Sequence, residues 1–129
     1  MLSKKITVYT FLFLLLAFFT APQPARADGK KLLKACAAGL KVINKDKGLP
    51  STEYVDAAFC AGLIQGVTDT NRIYRKAGKS PFFCMPGDGI NKSQATRTVV
   101  NYLRVHPEKL ELHETALVIE ALSAAFPCK

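Results

Sequence analysis

Four cysteines, Cys36, Cys60, Cys84 and Cys128, and two histidines, His106 and His113, are the side chains of this 129-residue sequence best suited to redox, metal or nucleophilic chemistry. The cysteines are spaced by 24, 24 and 44 residues. A tetrahedral zinc site is built from close pairs of ligands, and the sequence has none. It also lacks the Cys-x-x-Cys of a thiol oxidoreductase and the Cys-x-x-Cys-His of covalent haem. Neither a metal nor a cofactor is therefore expected, and an even number of cysteines reads as two disulfides. His106 precedes a proline at a corner, and His113 stands beside Glu114 at the start of a helix. With no His-x-x-x-His pair, no clustered carboxylates and no nucleophile at a recognisable spacing from a base, the expectation is a binding protein and not an enzyme.

Charge and small residues offer the remaining binding chemistry. On a helical wheel at about 100° per residue, Lys30, Lys34, Lys41 and Lys45 share one narrow sector. Arg72, Arg75, Lys76 and Lys79 form a second basic group where a long helix ends, a position that also suits the negative end of the helix dipole. Both groups read either as solvated surface or as electrostatic guides toward an acidic protein, an anionic lipid or a cell-wall polymer. Nucleic acid fits poorly, because no basic stretch is interleaved with base-stacking aromatics. Ala58, Gly62 and Gly66 make a small-x-x-x-small ladder. Glycine inside a helix costs about 1 kcal/mol relative to alanine, so close approach of another helix should offset it. Packing within the chain is the favoured reading, with a second copy as the alternative. Gln65 and Asp69, one turn apart, fit either a buried polar network or two exposed side chains.

The elements that must position these groups follow from periodicity and breakers. Two lysines in Met1–Lys5, an apolar run from Ile6 to Thr20, and Ala25-Arg26-Ala27 make the three parts of a secretory signal peptide cleaved after Ala27. Its removal leaves 102 residues, 28–129, as one domain. It also takes away Lys4, Lys5 and Arg26, lowering the net charge from +8 to +5. The only run approaching a membrane span goes with it. A domain this small buries only about 60–65% of its unfolded surface, so covalent bracing is valuable. Leu33, Cys36, Leu40 and Ile43 mark one face of a first helix over Lys30–Lys45. Pro50-Ser51-Thr52-Glu53 offers a hydroxyl cap to a second helix of about 25 residues that ends before Gly78. Gly78, Pro81, Pro86, Gly87 and Gly89 make Gly78–Ile90 a loop, yet one carrying Phe82, Phe83 and Met85. Asn91-Lys92-Ser93-Gln94 is a capping box opening a third helix through Val99, Val100 and Leu103, stopped by His106-Pro107. A fourth helix is expected from Leu110 to Ala125, with Leu112, Ala116, Ile119, Leu122 and Phe126 inward.

The expected fold is thus all-α, a small four-helix domain of two helical hairpins. Four cysteines allow three pairings. Folding the first hairpin about Gly48 sets Cys36 and Cys60 twelve residues either side of the turn. Folding the second about His106 sets Cys84 and Cys128 twenty-two either side. Register therefore favours Cys36 with Cys60 and Cys84 with Cys128. Such loops contribute roughly 3.5 and 4 kcal/mol on the chain-entropy account.

Taken in order, Phe59-Cys60-Ala61-Gly62-Leu63-Ile64-Gln65-Gly66-Val67-Thr68-Asp69, Phe83-Cys84-Met85-Pro86, Gln94, Val99-Val100-x-Tyr102-Leu103, His106-Pro107-Glu108, Ala121-Leu122 and Ala125-Phe126-Pro127-Cys128 resemble the Rap/Tai family. The resemblance covers Phe59 to Cys128. It implies a periplasmic immunity protein, usually a homodimer, that binds and occludes a peptidoglycan amidase effector of a type VI secretion system. Under that reading the Gly78–Ile90 loop is the candidate inserting element, with Phe82, Phe83 and Asp88 on it and Arg72, Arg75, Lys76 and Lys79 as polar contacts. The rival expectation is a periplasmic stress or binding protein, such as an acid-protective chaperone or an inhibitor of another hydrolase.

Overall fold

The computed structural model describes residues 28–87 and 89–129. The signal peptide reading of residues 1–27 lies outside them. Four α-helices follow one another: α1 Gly29–Ile43, α2 Ser51–Lys76, α3 Lys92–Val105 and α4 Glu114–Ala125, with a 3₁₀ turn at Pro107–Lys109. No strand occurs among the described residues. α1 and α2 form one hairpin and α3 and α4 the other. α1 lies at the centre, against α2 and α3 and touching α4. No helix of the described residues is long and apolar enough to cross a membrane.

Both disulfides join the cysteines that the hairpin register pairs. Cys36 and Cys60 are bonded across the first hairpin with Cα atoms 5.1 Å apart. Cys84 and Cys128 are bonded with Cα atoms 4.9 Å apart. The first bridge is sealed in the core with Leu32, Ile64, Val67, Val99, Val100, Leu103, Leu117, Val118 and Leu122. The second lies near the surface, with Cys128 exposed.

Capping accounts for most helix limits. Asp28 caps α1 by accepting from the Lys31 amide. Asn91 caps α3 by accepting from the Gln94 amide at 2.8 Å, the forward half of the expected box. α2 departs from expectation: its N-cap is Pro50, which has no side-chain acceptor, and Ser51 is already helical. The Pro50 carbonyl instead takes the Glu53 amide at 3.0 Å. At the other end of α2 Gly78 has φ +70°. The Gly78 amide donates to the Arg75 carbonyl and the Lys79 amide to the Tyr74 carbonyl. This is the left-handed stop that glycine supplies without a Cβ clash.

Two buried faces differ from the sequence reading. In α1 the fully buried row is Leu32, Ala35, Cys36, Ala38 and Gly39, while Leu33, Leu40 and Ile43 are only partly covered. A helix held between two neighbours buries a broader arc than one row, and small residues let both approach. The α4 helix starts at Glu114, because Leu110 and Leu112 donate their amides into successive tight turns, to Pro107 and Lys109. Its inward residues are Leu117, Val118, Ala121 and Leu122, whereas Leu112 and Ala116 are exposed and Ile119 and Phe126 half-buried. Apolar residues of α4 itself are spread around its whole circumference, so periodicity alone does not select the face that packs.

Candidate functional site

The long α2 projects its last turns past the core and carries the basic group there. Arg72, Arg75, Lys76 and Lys79 are all exposed. Arg72 is tied to Asp69 at 3.2 Å. Arg75, Lys76 and Lys79 make no ion pair among the described residues, so their charge is available to a partner. The α1 lysines are spent differently. Lys30 pairs with Glu111 at 2.7 Å, Lys34 with Asp56 at 3.1 Å and Lys41 with Glu53 at 2.7 Å. Three members of that stripe thus fasten helices and turns together, and the bond to Glu111 raises the pKa of Lys30.

The loop after α2 is pinned by a residue the sequence reading did not single out. Asn71 is 2% exposed. Its Nδ2 donates to the Phe83 carbonyl at 2.8 Å, and its Oδ1 accepts from the Phe82 amide at 2.7 Å and the Phe83 amide at 3.4 Å. A buried stretch of backbone must find partners for its N–H and C=O groups, and outside a helix or sheet a side chain has to supply them. The single amide of Asn71 does so here. Two ties to the C-terminal end complete the anchorage: the Cys84 amide donates to the Phe126 carbonyl at 2.8 Å, and Ser123 Oγ donates to the Phe82 carbonyl at 3.0 Å. The signal in the sequence is an Asn in the interior-facing register of α2, one turn after Val67.

Anchoring splits the two loop phenylalanines. Phe83 is 0% exposed and is the largest fully buried side chain. It belongs to the core and is withdrawn from the partner-contact set. Phe82 is 50% exposed and lies on Tyr74 with ring centroids 5.7 Å apart. With Ile73, 65% exposed, these rings make an apolar patch bordered by the unpaired cations. Asp88, the remaining expected contact, lies outside the described residues.

The Ala58-Gly62-Gly66 ladder is not used for packing within the chain. All three residues are exposed, and a Cβ built on Gly62 or Gly66 would meet nothing within 4 Å. No helix of the described residues lies there, because α1, α3 and α4 occupy the opposite side of α2, against Cys60, Ile64 and Val67. A groove of about 290 Å³, lined by Gly62, Gly66, Thr70, Phe82 and Ile119, runs along one flank. Another of about 320 Å³, lined by Tyr54, Ala58 and Ala61, runs along the other. Gln65 and Asp69 are half-buried and bonded to each other at 2.7 Å, a local pair and not a network in the core.

The histidines are structural. His113 caps α4. His106 sits 3.1 Å from Glu108 and packs on Tyr102, with ring centroids 4.4 Å apart. Beside it, Lys109 Nζ donates to Glu120 at 2.7 Å and to the Tyr102 hydroxyl at 2.8 Å, and that hydroxyl donates to Glu120 at 2.9 Å. These bonds, first from Lys109 and then from Tyr102, hold the Glu120 carboxyl below its ordinary pKa. They raise Lys109 in turn. The described residues contain no group of three or more His, Cys, Asp or Glu placed to hold a metal ion.

The described residues thus form a disulfide-braced helical domain with an exposed surface that is part apolar and part basic. The chain belongs to the family of Rap1a immunity proteins, which it matches over residues 28–128. No curated protein matches the sequence.

Proposed function

We propose that this protein acts in the periplasm as a homodimeric immunity protein that binds a peptidoglycan amidase effector of a type VI secretion system and covers its active site. The observation that carries the reading is the exposed Ile73, Tyr74 and Phe82 patch, bordered by Arg75, Lys76 and Lys79, on a member of the immunity family. Phe82 is the aromatic anchor. It is offered to solvent while its backbone is fixed by Asn71 and Ser123, so little conformational entropy is lost when a partner covers it. The cations steer an acidic partner surface toward it. Blocking requires no chemistry of the inhibitor's own, only a surface held in place over the groove. Two disulfides suit an oxidising compartment.

The test asks first whether a peptidoglycan amidase is encoded beside this protein's gene, and then uses that amidase. Cells expressing that amidase in the periplasm should survive only when this protein is co-expressed. Phe82→Ala should weaken the complex about 30-fold or more, the scale of an interfacial aromatic anchor. Charge reversal at Arg75 and Lys76 should slow association and reduce its dependence on salt. Unchanged survival without the protein would refute the function. Unchanged affinity in both variants would move the interface elsewhere.

A further inference from the structure

We infer that the groove between α2 and α4, walled on one side by Phe82, receives an apolar side chain projecting from the effector, set among acidic residues of that partner that face Arg75, Lys76 and Lys79. This rests on the immunity reading above and deepens it, adding a second contact region and the chemistry of the partner's surface. The groove measures about 290 Å³, room for a large apolar side chain. Leu63 and Val67 of α2, Thr115 and Ile119 of α4 and Phe82 of the loop line it, and none of its lining residues is ionisable. Its walls are fixed before anything binds. Two are helices, and the third is held by the bonds from Asn71 and Ser123 to the backbone of Phe82. A preformed slot loses little conformational freedom when it is filled.

Continuity and charge identify the occupant. Phe82 lines the groove and also lies on Tyr74, so a partner that covers the Ile73, Tyr74 and Phe82 patch meets the groove at the same ring. Arg75, Lys76 and Lys79 beside that patch make no ion pair among the described residues. A partner that seats an apolar side chain in the uncharged slot therefore gains by placing carboxylates over these cations. A second copy of this chain fits less well, because the three carboxylates of its α2, Glu53, Asp56 and Asp69, are already paired with Lys41, Lys34 and Arg72. The floor of the groove agrees with this use. Gly62 and Gly66 stand in the interior of α2, where glycine is less favourable than alanine, and a Cβ on either would meet nothing within 4 Å. Packing among the described residues does not offset that cost, whereas any side chain at these positions would take up the space that the slot provides.

Titration calorimetry of the protein purified from the periplasm with the amidase of the preceding test, together with urea unfolding, tests this. Gly66→Leu fills the groove and should weaken the complex about tenfold or more. The same variant should raise the urea midpoint by about 0.5 M, because leucine replaces glycine at an open position inside a helix. Binding lost by a more stable protein is not lost through misfolding. Gly66→Ala should show both effects with the same signs and a smaller loss of affinity. Ala58→Leu, on the other flank of α2, should leave the affinity within about twofold. No complex with the wild type would refute the immunity reading itself. A wild-type complex whose affinity is unchanged by Gly66→Leu, or is weakened as much by Ala58→Leu, would overturn the groove assignment and leave that reading standing. A mass halved by Gly66→Leu in light scattering would overturn it too, giving the groove to a second copy.

Discussion

Asn71→Ala should be among the most damaging single polar substitutions in this domain, and its size can be worked from the contacts. The change removes the donor to the Phe83 carbonyl and the acceptor for the Phe82 amide, bonds of 2.8 and 2.7 Å, with a weaker third at 3.4 Å. The Phe83 carbonyl is buried and is left without its partner, whereas the Phe82 amide lies closer to solvent and can recruit water. Stranding a buried polar group costs about 1–3 kcal/mol and losing a compensated bond about 1, giving about 2–4 kcal/mol in all. Set against the roughly 5–15 kcal/mol typical of a folded domain, the variant stays folded but much weakened. With a urea slope of about 1.5 kcal/mol per molar, the unfolding midpoint should fall by about 1.3–2.7 M. Asn71→Asp keeps an oxygen for the Phe82 amide but sets a second oxygen against the Phe83 carbonyl, and should show at least half the loss. A midpoint shift below about 0.3 M for Asn71→Ala would refute the view that this side chain organises the loop.

Three further outcomes follow from other contacts. Gly29→Ala should destabilise by about 1–3 kcal/mol in the same assay, because a Cβ there would lie 2.5 Å from Leu117 Cδ1 and 2.7 Å from the Leu110 carbonyl oxygen. Under mild reductant, alkylation and mass spectrometry should find Cys84 and Cys128 modified well before Cys36 and Cys60, since Cys128 is exposed while Cys36 and Cys60 are 0% and 1% exposed. Because the Glu120 pKa is lowered by folding, its contribution is present at neutral pH and is lost as acid protonates it, below about pH 4. Glu120→Gln should therefore flatten the acid limb of the stability profile while leaving its shape between about pH 6 and 9 unchanged; an unaltered acid limb would count against the Lys109–Tyr102–Glu120 cluster.

Local signals in the sequence were strongest where a single residue type enforces a single conformation. Asn91 at the head of α3, Gly78 at the end of α2 and the proline after His106 each place an element limit correctly. The equal spacing of cysteines about the hairpin turns likewise finds both bridges. Legibility fails where a choice depends on neighbours distant in the chain. Leu112 and Ala116 have the right spacing for the interior, yet α4 turns Leu117 and Val118 inward, because α1 and α3 meet that side. Phe82 and Phe83 are adjacent and chemically identical, and the Asn71 clamp, with the ties from Ser123 and Cys84, decides which enters the core. The glycine ladder signals a close helix approach, but the sequence does not say that α1, α3 and α4 leave it uncovered.

The two covalent rings are consecutive, 36–60 and then 84–128, neither nested nor interleaved. A polypeptide delivered N-terminus first into an oxidising compartment presents its thiols in the order in which they pair. The first ring can close while only two cysteines have emerged, so no wrong partner is yet present. Once its bridge is sealed behind Leu32 and Val99, it is withheld from thiolate attack, and the last two cysteines have only each other. In the proposed periplasmic setting, correct oxidation is thus achievable by an oxidase alone, without a reshuffling catalyst.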